Sequence, residues 1–116
     1  MQLSVQALTQ SERLIKSVAD ALPGLLAYWD KDLICRFANK GYLEWFGKPP
    51  QAVVGHSIQD LMGEHLFALN ERYIRGALAG QPQSFERTLT KANGSIGYTW
   101  ANYIPDLDSQ GLVSGF

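Results

Sequence analysis

At 116 residues the chain has room for one closed core and not for two. Hydrophobic residues make up 46% and charged residues 18%, a balance that excludes a disordered segment. Net charge is −1 and no run of five Lys or Arg occurs, so the expectation is a module with no nucleic-acid partner. Cys35 is the one cysteine, which rules out a disulfide within the chain and points to a reducing, cytoplasmic location. No stretch of about eighteen apolar residues exists, and the N-terminus lacks the pattern of a signal peptide, so no membrane contact is expected.

The first predicted element is a helix. Thr9 with Glu12 fits a capping box, in which each side chain satisfies the other residue's free N–H. Leu14, Ile15, Val18 and Leu22 then form one apolar stripe, and Pro23-Gly24 ends it. This divides the chain into a flanking helix, residues 1–22, and a domain proper, residues 23–116. Leu25 to Trp29 is short, apolar and aromatic, which predicts a strand. Asp30-Lys31-Asp32 supplies a turn, and Leu33 to Phe37 returns as the second strand of a hairpin.

Three short helices are predicted next. Asn39 can cap the first, which carries Tyr42, Leu43, Trp45 and Phe46 and stops at Gly47. Pro50 suits the first turn of the second, which stops at Gly55. Ser57 can cap the third, Ile58 to Met62, which stops at Gly63. Glu64 to Ala79 reads as a longer helix, with Leu66, Phe67, Tyr73, Ile74, Ala77 and Leu78 on one side. The remainder is β: an alternating strand over Phe85 to Thr90, an Asn93-Gly94 hairpin turn, and a long strand from Ser95 to Ile104. A polar loop, Pro105 to Gln110, leads to a last strand at Gly111 to Phe116. Strands do not alternate singly with helices, so the fold class is α+β rather than a doubly wound parallel sheet.

This order of elements resembles that of PAS domains. Asp30, a turn and then Asn39 look like the family's D-x-x-G…N signature, with Leu33 where many members place glycine. Tyr42 to Gly47, Pro50, Val54-Gly55 and Asp60-Leu61 with Gly63 resemble its helical segment. Asn93-Gly94-Ser95 resembles the turn before its long strand. Tyr103 to Asp106, Gly111 and Gly115-Phe116 resemble the end of that strand and the start of the last. The likeness runs from about Ser11 to Phe116 and is closest to bacterial sensory-box modules of two-component systems.

The resemblance implies a PAS-like, five-stranded antiparallel sheet with helices over one face. Its last strand would lie between the first and the long strand, and is expected to be truncated at Phe116. It also implies signal transduction rather than catalysis: binding of a small ligand or partner, and control of a fused histidine kinase or diguanylate cyclase effector. The alternative is a ligand-free dimerisation or docking module. The sequence carries no metal-ligand set, nucleophile motif or phosphate loop, so it is expected to be no enzyme.

His65 falls opposite the apolar stripe of its helix, which argues against haem. Cys35-Arg36-Phe37 lies on a strand, where a small buried residue is expected rather than a cysteine that forms a covalent flavin adduct. Trp29, Trp45, Trp100, Tyr28, Tyr42, Tyr98 and Tyr103 are candidates for an aromatic pocket or for ordinary core packing. Asn70 sits within the stripe of the long helix, Arg87 shares a strand face with Phe85 and Leu89, and Asn102 neighbours Trp100. A candidate ligand pocket is therefore Asn70, Arg87, Asn102, Tyr42, Trp100 and Ile74. The other reading of the polar members is bonding to backbone, or an outward sheet face. Leu14, Ile15, Val18 and Leu22 are candidates for core packing or for a homodimer interface.

Overall fold

The computed structural model describes residues 5–116, with side chains from Thr9 onward. It contains α1 (Val5–Ala21), β1 (Ala27–Trp29), β2 (Cys35–Ala38), α2 (Gly41–Phe46), α3 (Pro50–Val53) and α4 (Ile58–Leu78). β3 (Gln83–Thr90), β4 (Ile96–Tyr103), β5 (Asp106–Leu107) and β6 (Val113–Gly115) follow. The element order is the expected α+β one. The strand arrangement differs from a single five-stranded sheet. Among the described residues there are three antiparallel pairs, β1–β2, β3–β4 and β5–β6. Pro105 has no N–H to donate, and it falls where the long strand divides into β4 and β5. The stretch expected to be a polar loop thus contributes a short strand.

β6 joins the pairs. Trp29 and Phe116 exchange N–H···O bonds of 2.9 Å in both directions, and Lys31 N–H donates to Ser114 O (2.9 Å). β6 therefore lies between β1 and β5, whereas the last strand was expected beside β1 and the long strand. Gly115 is packed against β1, and a Cβ there would collide with the Trp29 carbonyl. The free edge of β2 is covered by the α3–α4 connection, through Cys35 N–H to His56 O (2.9 Å) and Ile58 N–H to Leu33 O (2.8 Å).

α4 is two helical pieces meeting at Gly63, whose φ of 77° breaks the spiral where the sequence predicts a stop. Ser57 caps it, accepting from Asp60 N–H (3.0 Å). Other caps differ from expectation. α1 already runs through Thr9 and Glu12, so no capping box opens there. Asn39 does not cap α2; it ties the fold together. Its Nδ2 donates to Ala19 O (2.9 Å) and Gly24 O (3.1 Å), and its Oδ1 accepts from Leu26 N–H (3.1 Å). Asp20 instead accepts from Lys40 N–H (2.8 Å) at the start of α2.

The core is Trp29, Cys35, Ala38, Tyr42, Val53, Ile58, Ile74, Ala77 and Phe116, with Leu33, Phe46, Phe67 and Tyr103 packed around it. The apolar stripe of α1 is outside this core. Leu14, Ile15, Val18 and Leu22 are all at least half exposed.

Candidate functional site

Strand parity decides which side chains meet. In the β3–β4 ladder Phe85, Arg87 and Leu89 stand opposite Ala101, Thr99 and Gly97. Phe85, Leu89 and Ala101 are buried, which marks this as the inner face. The neighbours Ser84, Glu86 and Thr88 stand opposite Asn102, Trp100 and Tyr98, all exposed on the outer face.

A groove of about 560 Å³ opens between β1 and β4. Its inner walls come from Trp29, Tyr42, Trp45, Ala101, Tyr103 and Phe116, with Arg87 and Thr99 as the polar members. Trp45 lies over Gly97, where a Cβ would collide with the indole ring. Lys91 Nζ covers the same ring at 4.5 Å and reaches Glu44 at 3.3 Å. Tyr103 is held by Phe85, edge-on at 5.1 Å, and by Phe116 at 4.9 Å.

Arg87 is half-buried. Its Nε donates to Thr99 Oγ1 (3.3 Å) and its Nη1 to Tyr103 Oη (3.2 Å). Burial raises the Tyr42 and Tyr103 hydroxyls above the ordinary tyrosine value, although Arg87 pulls each of them down. Both stay protonated at neutral pH and remain able to donate.

The six expected ligand residues do not all converge. Tyr42 and Arg87 line the groove's interior. Asn70 is buried, but its Nδ2 donates to Leu66 O one turn back (2.8 Å), so helix backbone satisfies it. Ile74 belongs to the core. Trp100 and Asn102 border the groove mouth, yet their β4 parity turns them outward. Trp100 is 61% exposed, and Asn102 accepts from Ser84 Oγ (3.1 Å). Among the aromatic candidates, Trp29, Trp45, Tyr42 and Tyr103 are inner walls. Tyr98 is turned outward, and Tyr28 bonds Asp106 Oδ2 (2.6 Å). That bond, before desolvation, raises the Tyr28 hydroxyl to about 12. Thr99 was not singled out from sequence; its place opposite Arg87 was the available signal.

Cys35 is fully buried, and desolvation pushes its thiol up to about 11, against the opposing bond from Sγ to Phe37 O. It is the small core residue expected. His65 and His56 are exposed. No group of three or more His, Cys, Asp or Glu suited to a metal occurs among the described residues, and no helix there is long and apolar enough to cross a membrane.

The family described as PAS fold matches residues 19–116, and the chain belongs to it. PAS domains are in general sensory, non-catalytic modules, so the chain is not read as an enzyme. A search of curated proteins returned no match. Among solved structures, VqmA bound to DPO superposes with a TM-score of 0.73 at 20% identity, over 92% of this chain and 54% of that one. A Vibrio cholerae VqmA–ligand–DNA complex gives 0.72 at 19%, over 98% and 48%. The chain thus spans about half the length of VqmA.

The PAS domain of BvgS from Bordetella pertussis gives 0.59 at 23%, over 90% and 78%. An RNA-binding light-oxygen-voltage receptor gives 0.70 at 18%, over 97% and 32%. These likenesses correct one expectation. The fold occurs within a receptor solved on DNA and within an RNA-binding receptor. The lack of a basic run in this domain therefore does not exclude a nucleic-acid partner.

Proposed function

We propose that this PAS domain is a ligand-sensing signalling module whose ligand occupies the groove between β1 and β4. The half-buried Arg87, set among aromatic walls and bonded to neutral hydroxyls, carries this reading: apolar surroundings with a few placed polar groups are what a small-molecule site requires. Ligand binding would favour one conformation of β4, β6 and the terminal helix, and an effector would respond to that population shift. A fused histidine kinase or diguanylate cyclase fits this scheme. The receptors solved with DNA and named for RNA binding add a nucleic-acid-binding output to the set. A cytoplasmic location is part of the proposal. The test compares mass and absorption spectra of the purified protein before and after denaturation. A released small molecule is expected; a protein with no released mass and no ligand-dependent thermal shift overturns the sensing reading.

A second reading has its own observation. The α1 stripe of Leu14, Ile15, Val18 and Leu22 is exposed, as are Tyr98, Trp100 and Ile104 on the outer sheet face. Exposed apolar surface of this kind marks association, and a homodimer through α1 would cover the helix stripe. Light scattering on wild type and on Leu14→Asp with Val18→Asp checks this: a dimer that becomes a monomer is expected, and an unchanged mass refutes it.

A further inference from the structure

We infer that the groove selects an anion, a small planar carboxylate, with Arg87 as its counter-ion. This rests on the sensing reading above and narrows it to a chemical class. Arg87 is the charged side chain on the inner face of the β3–β4 ladder. Its sequence neighbour Glu86 is turned to the other face. None of the ion pairs among the described residues includes Arg87. Lys91, over the Trp45 ring, is already paired with Glu44.

A half-buried guanidinium without an anion is costly, and neutral hydroxyls repay only part of that cost. They do fix its direction. Thr99 and Tyr103 occupy Nε and Nη1, and Nη2 has no hydrogen bond to a described residue. The planar fork of arginine matches a carboxylate in a way a point charge does not. Tyr103 accepts from Arg87, so its own O–H proton is free to donate to a second acceptor atom. Aromatic rings supply much of the remaining wall, from Trp29, Tyr42 and Trp45, and Gly97 lets the Trp45 ring lie close to β4. A volume of about 560 Å³ suits one aromatic or short aliphatic acid.

Calorimetry with matched probes tests the charge. Indole-3-acetate is compared with indole-3-acetamide, and phenylacetate with phenylacetamide. At least one acid is expected to bind about tenfold or more tightly than its amide. Arg87→Gln should remove that preference by weakening the acid far more than the amide, and Arg87→Lys should keep part of it. Circular dichroism and thermal unfolding show whether each variant folds; if Arg87→Gln does not, Arg87→Lys and the salt dependence of acid binding decide. Amides that bind as well as acids, a preference that survives Arg87→Gln, or no acid binding at all overturns the inference. The two levels separate cleanly. A neutral molecule released from the purified protein sinks the anion inference and leaves the sensing reading standing. No released mass together with no binding by any probe sinks both.

Discussion

The two faces of the β3–β4 ladder share one backbone and carry opposite chemistry. On the inner face Phe85, Leu89 and Ala101 are buried around a single half-buried charge. On the outer face Tyr98 is 80% exposed and Trp100 61%, with Glu86, Thr88 and Asn102 between them. Aromatic content alone therefore says nothing about which face holds the site. What distinguishes the inner face is that its polar groups bond to each other out of bulk water, where an added charge is felt more strongly. The outer face leaves Tyr98 and Trp100 mostly in solvent, which suits a partner surface.

The largest expected effect breaks this comparison directly. Phe85 stacks on Tyr73 at 3.7 Å and meets Tyr103 edge-on, so Phe85→Ala should cost about 3–5 kcal/mol in denaturant unfolding. Trp100→Ala on the opposite face should change stability by no more than about 0.5 kcal/mol. Comparable losses from the two would mean that the outer face is buried in solution, which would favour the dimer.

Next in size is Asn39, which lies off both faces and anchors α1 and the Pro23-Gly24 turn to β1. Asn39→Ala leaves the Ala19 and Gly24 carbonyls and the Leu26 N–H without this partner, at a cost of about 2–4 kcal/mol. Urea unfolding checks the value. A loss confined to α1, with the groove residues unaffected in hydrogen exchange, would show that the helix is only loosely coupled to the sheet.

Asp30 gives a smaller effect with a definite sign. Partial desolvation raises its pKa, but the Ile34 N–H, the Arg36 guanidinium and the Asp32 N–H together outweigh this and hold the carboxyl below its usual range. A depressed folded pKa stabilises the fold above the unfolded value of about 3.9. That stabilisation should fade as pH falls through the folded pKa. Thermal midpoints measured from pH 6 to pH 2 should therefore drop in wild type and drop less steeply in Asp30→Asn. Parallel curves would show that the hairpin charge does not contribute.

The order of elements was legible because its signals are local. Ser57 caps α4, Gly63 breaks it, and Asn93-Gly94 turns the chain, each through chemistry confined to a few residues. The site was legible only in part, because it depends on strand parity and on distant partners. The grouping of Arg87 with Phe85 and Leu89 was correct, and so was the grouping of Trp100 with Asn102. Which group faces inward depends on packing against α4, and no alternation pattern reports that when both faces carry aromatics. Asn70, in the stripe, was open to a ligand role or to bonding with backbone, and Leu66 O one turn away satisfies it. Asn39 looked like a cap, and its real partners Ala19 and Gly24 lie 20 and 15 residues distant.

The smallest expected effect concerns Leu33, the non-glycine residue with positive φ among the described residues, at 64° in the hairpin turn. An L-residue in the left-handed region costs about 1–2 kcal/mol, and glycine would relieve it. Glycine also adds freedom to the unfolded chain, worth about 0.4–1 kcal/mol against folding. Leu33 further packs against the core cluster, so its removal forfeits about 1 kcal/mol of apolar burial. These contributions nearly cancel, so Leu33→Gly should move stability by less than about 1 kcal/mol. Leu33→Val keeps the strain, adds β-branching and shortens the side chain, and should lose clearly more. Thermal melts of the two variants side by side separate the contributions. If Leu33→Gly proves the more damaging, packing rather than backbone strain governs this turn, and Leu33 is part of the inner core in energy as well as position.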